Sequence, residues 1–168
     1  MEIALARYPF ISLLNSANLA RPAANLLQMC TFAREFNVPL VFGCIDGEGL
    51  AATCARKLDV ARRSVDYALS QGLEPEQIVI DPLVLPALND PQGVAETLQA
   101  ITNIAEKLPG IRTLLAVSNV SYGMTDTLRT RVDRDFLSRA TVHGLSFAIV
   151  NITRVPPILW SPELHHQI

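Results

Sequence analysis

Between residues 10 and 152, short apolar runs alternate with longer segments whose apolar residues recur every three or four positions. "FISLLN" (10–15) is short and β-compatible. "RPAANLLQMCTFAREF" (21–36) places Leu26, Cys30 and Ala33 on one helical face, with Pro22 suited to a first turn. "VPLVFGCID" (38–46) is a second apolar run. Over 53–70, Leu58, Ala61, Val65 and Ala68 or Leu69 share one side, with charges opposite and Gly72 as a helix stop. "QIVIDPLVL" (77–85) reads as a third strand. Val94, Leu98, Ile101, Ala105 and Leu108 form the next helical stripe, which Pro109-Gly110 ends. "RTLLAVSNV" (112–120) is a fourth strand, and 127–142 a helix with Val132, Phe136 and Ala140 inward and Gly144 at its close. "LSFAIVNI" (145–152) is a fifth strand.

Four strand–helix units and one more strand predict an α/β fold. Because the strands are apolar throughout instead of alternating, the sheet should be parallel and covered by helices. Each strand also ends on polar groups: Asn15 and Ser16, Asp46, Asp81, Ser118 and Asn119, then Asn151. Ligands of parallel α/β sheets sit at the carboxyl ends of the strands. These residues therefore form a candidate polar floor. The chain holds no GxGxxG or GxxxxGK[ST] loop, so the floor suits a neutral, hydrogen-bond-rich ring better than a nucleotide phosphate.

Composition sharpens this only slightly. A chain of 168 residues is one domain by length, and 49% hydrophobic content with a formal charge of −2 argues against disorder and a nucleic-acid footprint. Cys30, Cys44 and Cys54 are scattered and odd in number, as expected of reduced thiols. There is no basic-then-apolar leader and no apolar run near the ~20 residues of a membrane span. A cytoplasmic protein without a membrane partner is expected.

The stretches "LLNSAN" (13–18), "GCIDGEG" (43–49), "IVIDPLVLP" (78–86), "LLAVSNVSYGM" (114–124) and "RVDRDFLSRATVHGLSFAIVN" (131–151) occur in one order. This series resembles the pterin-binding methyltransferases that act on methyltetrahydrofolate and a corrinoid protein, including the matching module of cobalamin-dependent methionine synthase. Dihydropteroate synthase is a more distant relative of the group. The resemblance implies tetrahydrofolate or methyltetrahydrofolate as substrate and cobalamin carried by a partner protein. It implies that Asn15 bonds the pterin ring and that Asp81 accepts two N–H bonds from the amino-pyrimidinone edge. Asn119 would be the catalytic group, donating to N5 as that nitrogen gains electron density on losing its methyl group. Ser118, Asp46, Asn151 and Arg129 are further candidate contacts. On the residues alone, Asn15 could instead cap the next helix, Asp81 start an Asp-Pro turn and Asn119 bond its own loop, while Arg129 could as well lie on the surface.

The resemblance is partial. A (β/α)₈ barrel has eight strands over about 250 residues, whereas the five runs here map onto the last five. Residues 1–152 would then be a partial pterin-binding TIM barrel starting inside its third helix, and 153–168 an irregular tail. Pro156, Pro157 and Pro162 argue against a long helix there. His165 and His166 read as exposed tail without a metal role, and Trp160 as packing against the sheet edge. Asp133 stands where the family usually has Asn, Lys57 replaces a common arginine and Ala51 a common proline, and two extra residues precede Arg129. Open sheet edges invite pairing, so a chain supplying strands one to three, or self-association, is expected. A non-catalytic half-barrel that assembles with such a partner is the alternative to an enzyme. A dihydropteroate synthase should carry a basic residue on the fourth strand for a pyrophosphate, and "LLAVSNVSYG" has none.

Overall fold

The computed structural model describes residues 13–155. Its elements run β1 (Leu14–Ala17), α1 (Ala23–Glu35), β2 (Leu40–Gly43), β3 (Ile45–Asp46), β4 (Gly49–Leu50), α2 (Cys54–Ser70), β5 (Ile78–Asp81), α3 (Pro91–Lys107), β6 (Arg112–Ala116), α4 (Asp126–Val142) and β7 (Phe147–Ile149). Five strands form one sheet in the order β1-β2-β5-β6-β7, every pairing parallel. Chain order and sheet order coincide, as in a barrel wall built one strand–helix unit at a time. The five apolar runs thus stand side by side in one direction, as a partial barrel.

The two faces of the sheet differ. Leu14, Leu40, Phe42, Ile78 and Ile80 pack under α1 and α2 with Leu26, Cys30, Ala33, Ala61, Val65 and Ala68. Leu115 packs with Leu98, Ile101, Phe136, Leu137 and Ala140 from α3 and α4. On the opposite, inner face, Val41, Val79, Leu114 and Phe147 form a small cluster of their own. The predicted helical stripes face the core, with Val94, Leu108 and Val132 half-buried and Ala105 exposed while Ile104 is buried. Burial of a Leu, Ile or Phe side chain contributes roughly 1.5–3 kcal/mol, so the outer layer carries most of the stability.

Capping defines where α2 and α3 begin. Thr53 accepts the Arg56 N–H at the start of α2. Asp90 accepts the Gly93 N–H before α3, and a Cβ on Gly93 would fall 1.9 Å from that carboxylate. The cap and the glycine are therefore one device.

Several strands stop earlier than the apolar runs do. The run 38–46 splits, because β2 ends at Gly43 and residues 45–50 turn back as the antiparallel hairpin β3–β4. Pro82 has no N–H for the ladder, and β5 ends before it at Asp81. β6 ends at Ala116, and Val117–Asn119 tighten into a 3₁₀ turn. The first strand lies at Leu14–Ala17; residues 10–12 of its predicted run are outside the described residues. So are Trp160, His165, His166 and the three tail prolines. At the other end of the described chain, Val155 is buried against the α4 cluster, and Arg154 pairs with Asp126 at 2.7 Å.

Candidate functional site

Asp81 is the last residue of β5 and only 7% exposed. Its Oδ1 accepts the Leu83 N–H at 2.8 Å, closing a turn over Pro82. Burial pushes the carboxyl up to about 6, against the pull of the Leu83 N–H and the Lys57 charge. The turn is held from below. Lys57 of α2 is 2% exposed, and its Nζ donates to the Pro82 carbonyl at 2.6 Å and to the Leu83 carbonyl at 2.8 Å. Thr97 of α3 donates to the same Leu83 carbonyl at 3.0 Å. Leu83 itself sits at φ +57°, a left-handed conformation that a branched apolar residue adopts only when its surroundings impose it.

Register shows what shares a face with Asp81. In a parallel pair, register partners project to the same side and residues two apart along a strand do too. Asn15 partners Val41, Val41 partners Val79, and Asp81 follows Val79 by two. Asn15 and Asp81 therefore both face the inner side. Asn15 is exposed there, and the ladder is irregular just beyond it, between Asn15 and Ala17. Gly43 partners Asp81 directly and contributes no side chain between strands β2 and β5.

The loop after β6 adds the next group. Asn119 ends the 3₁₀ turn and is exposed, while Val117, Val120 and Ser121 around it are buried. The turn is anchored from two directions. The Ala87 N–H donates to the Val120 carbonyl at 2.9 Å, tying the segment after Asp81 to the one carrying Asn119. Arg129 of α4 donates through Nε to Ser121 Oγ at 3.1 Å and through Nη2 to the Ser118 carbonyl at 3.4 Å. Arg129 is thus a brace for the loop, and Ser118 takes part through its backbone.

The remaining two candidates are engaged by partners of their own. Asp46 is buried, but Arg56 and Arg63 both donate to its carboxylate and the Glu48 N–H adds a third bond. The arginines hold the carboxyl below its ordinary value, so it fastens the β3–β4 hairpin to α2. Asn151 lies beyond β7, where its Oδ1 accepts from Thr153 N–H and Oγ1. Asp133 is 1% exposed, and its Oδ1 has no partner among the described residues. Among the described residues, no group of three or more His, Cys, Asp or Glu could hold a metal ion.

Lys57 and Thr97 were not singled out from sequence as site residues. Lys57 follows the buried spacing of Ala61, Ser64 and Ala68, and that stripe was the available signal.

Comparison with known proteins decides the lineage. The family model described as Pterin binding enzyme matches residues 1–155. The chain belongs to the pterin-binding enzyme family. It is 28% identical over 152 residues to the methionine synthase of Mycobacterium leprae, covering 87% of this chain and 12% of that protein. The methionine synthase of Mycobacterium tuberculosis gives 28% over 153 residues, covering 88% and 13%. The methylcorrinoid:tetrahydrofolate methyltransferase of Eubacterium limosum gives 25% over 114 residues, covering 68% and 41%. This pterin-binding chain therefore spans about an eighth of the two synthases and two fifths of the methyltransferase. Among its described residues, no helix is long and apolar enough to cross a membrane.

Proposed function

We propose that this chain holds methyltetrahydrofolate, or a related reduced pterin, at the carboxyl ends of its strands for transfer of the N5 methyl group to a corrinoid protein. A buried carboxylate on the same inner face as Asn15, joined through the Ala87–Val120 hydrogen bond to the turn bearing Asn119, carries the reading. Asp81 keeps Oδ2 for the ligand while Oδ1 holds its own turn, and an ionised carboxylate accepts the amino-pyrimidinone N–H groups strongly. Asn15 bonds the ring from β1.

In the transfer, the N5–CH₃ bond breaks and its electron pair stays on N5, while the methyl group leaves for the partner. The corrinoid supplies the nucleophile when its carrier protein docks. Asn119 donates to N5 as the pair localises there, an interaction stronger in the transition state than in the ground state. Its amide does this without bringing a charge that would have to be desolvated. Arg129 keeps the turn in place. The related proteins named methionine synthase and methylcorrinoid:tetrahydrofolate methyltransferase support this chemistry.

A second reading is a non-catalytic half-barrel completed by a partner chain or a second copy. It is favoured by β1 and β7, each of which has one strand neighbour among the described residues. Isothermal titration with methyltetrahydrofolate, alone and with a corrinoid protein, separates the two. Binding in either condition is expected, and its absence in both removes the enzyme reading.

A further inference from the structure

We propose that Lys57 is the positioning residue of the site: its buried ammonium fixes the turn after β5 and supplies the counter-charge that holds Asp81 ionised for its ligand. The role of that ionised carboxylate rests on the function proposed above; the coupling of the two side chains does not.

The geometry is unusually committed. Nζ lies 2.6 Å from the Pro82 carbonyl and 2.8 Å from the Leu83 carbonyl, while the Leu83 N–H is spent on Asp81 Oδ1 at 2.8 Å. Both ends of the Leu83 peptide unit are therefore pinned, one by the base and one by the acid. Lysines are almost never fully buried without a partner, and two neutral carbonyls do not cancel a charge.

The groups whose charge acts on the ammonium come from three segments. Asp81 ends β5, Cys44 follows β2, Asp90 caps α3, and Glu96 lies on α3. Burial lowers the Lys57 pKa, and these groups oppose it. The Cys44 thiol is itself pushed up to about 12 by burial, so it is uncharged near neutrality. Asp81 is left as the leading anion. An ionised Asp81, one peptide unit away across the turn, offsets the buried ammonium, whereas a protonated one strands it. The lysine thus opposes the burial that would otherwise keep the acid in its neutral, non-accepting form.

The test uses Lys57→Met, Lys57→Arg and Asp81→Asn in the full chain, with carboxyl and ammonium titrations followed by NMR. In the Lys57→Met protein the Asp81 titration should move upward by about one pH unit or more. Lys57→Arg, which keeps the charge, should leave it near the wild-type midpoint. The reciprocal measurement needs no change at position 57: in Asp81→Asn the Lys57 titration should move downward. Unmoved titrations in folded Lys57→Met or in Asp81→Asn overturn the proposal. The pH profile of methyltetrahydrofolate binding should shift upward with the Asp81 titration in Lys57→Met. A wild-type chain that binds no methyltetrahydrofolate while the two titrations stay coupled overturns the function reading and upholds the counter-charge. Binding whose pH profile ignores the Lys57→Met substitution overturns the positioning role alone.

Discussion

Gly43 is the direct register partner of Asp81, so the buried carboxylate has a residue without a side chain beside it on the inner face. A Cβ built on Gly43 would meet Leu83 Cδ1 at 3.7 Å and the Ala17 carbonyl at 4.0 Å, both ordinary contacts. Gly43→Ala should therefore change stability by less than about 1 kcal/mol, read by urea denaturation. Gly43→Phe projects a ring over Asp81 and should abolish methyltetrahydrofolate binding in calorimetry. A Phe variant that folds and binds like wild type would mean the ligand lies elsewhere.

Asp81 makes stability depend on pH in an unusual direction. Its folded pKa, about 6, stands above the usual 3.8, so between those values the native state binds a proton more tightly than the unfolded chain. The contribution is complete below about 3.8 and is lost as pH rises through about 6. Its full size is on the order of 3 kcal/mol. Chemical denaturation of wild type and Asp81→Asn across this window should show that component of the decline only in wild type. The same substitution should weaken methyltetrahydrofolate binding by about 10–100-fold, from the loss of charge-assisted hydrogen bonds.

Asp46 should behave oppositely. The Arg63 and Arg56 hydrogen bonds depress its pKa, so its stabilisation is present above the unfolded value and disappears as pH falls through the folded one. Asp46→Asn should lower stability at neutral pH and flatten that part of the acid loss, with methyltetrahydrofolate affinity unchanged. An affinity loss at constant stability would place Asp46 at the ligand site.

Asn119 is predicted to act on turnover more than on affinity. Asn119→Ala should reduce kcat by about 10²–10³-fold, the scale of removing one donor to a developing charge, while the calorimetric Kd moves by less than about tenfold. Single-turnover methyl transfer to a corrinoid protein measures the first. An equal loss in both would make Asn119 a binding group.

The order of strands and the stripes of α1, α2 and α4 were readable because apolar spacing reports directly which face a helix buries. Leu26, Cys30 and Ala33 on α1, or Phe136 and Ala140 on α4, needed nothing else. Ends were harder. The hairpin at 45–50 was hidden inside an apolar run, since Ile45 looks like strand whichever way the chain turns next. The strand through Ser118 and Asn119 ended early because these residues entered a 3₁₀ turn anchored by contacts from residues 87 and 129, which local sequence does not encode. Lys57 was concealed by chemistry: a charged residue in a buried stripe reads as an exception until the Pro82 and Leu83 carbonyls fold against it. The grouping of Asn15 with Asp81 depends on pairing across two strand neighbours, a relation between distant segments that spacing along the chain cannot supply.

The outer packing divides into two bodies, one around β1, β2 and β5 and the other around β6 and β7, with α3 lending Ile104 to the first and Leu98 and Ile101 to the second. Asp81 stands on one bank and Asn119 on the other, joined where β5 pairs with β6 and where the Ala87 N–H meets the Val120 carbonyl. On the function proposed above, grip on the ring and assistance to its departing methyl belong to different halves of the molecule. Packing that belongs to one bank alone, such as Leu26 and Cys30 or Phe136 and Ala140, is then where evolution or a designer could retune either role by itself.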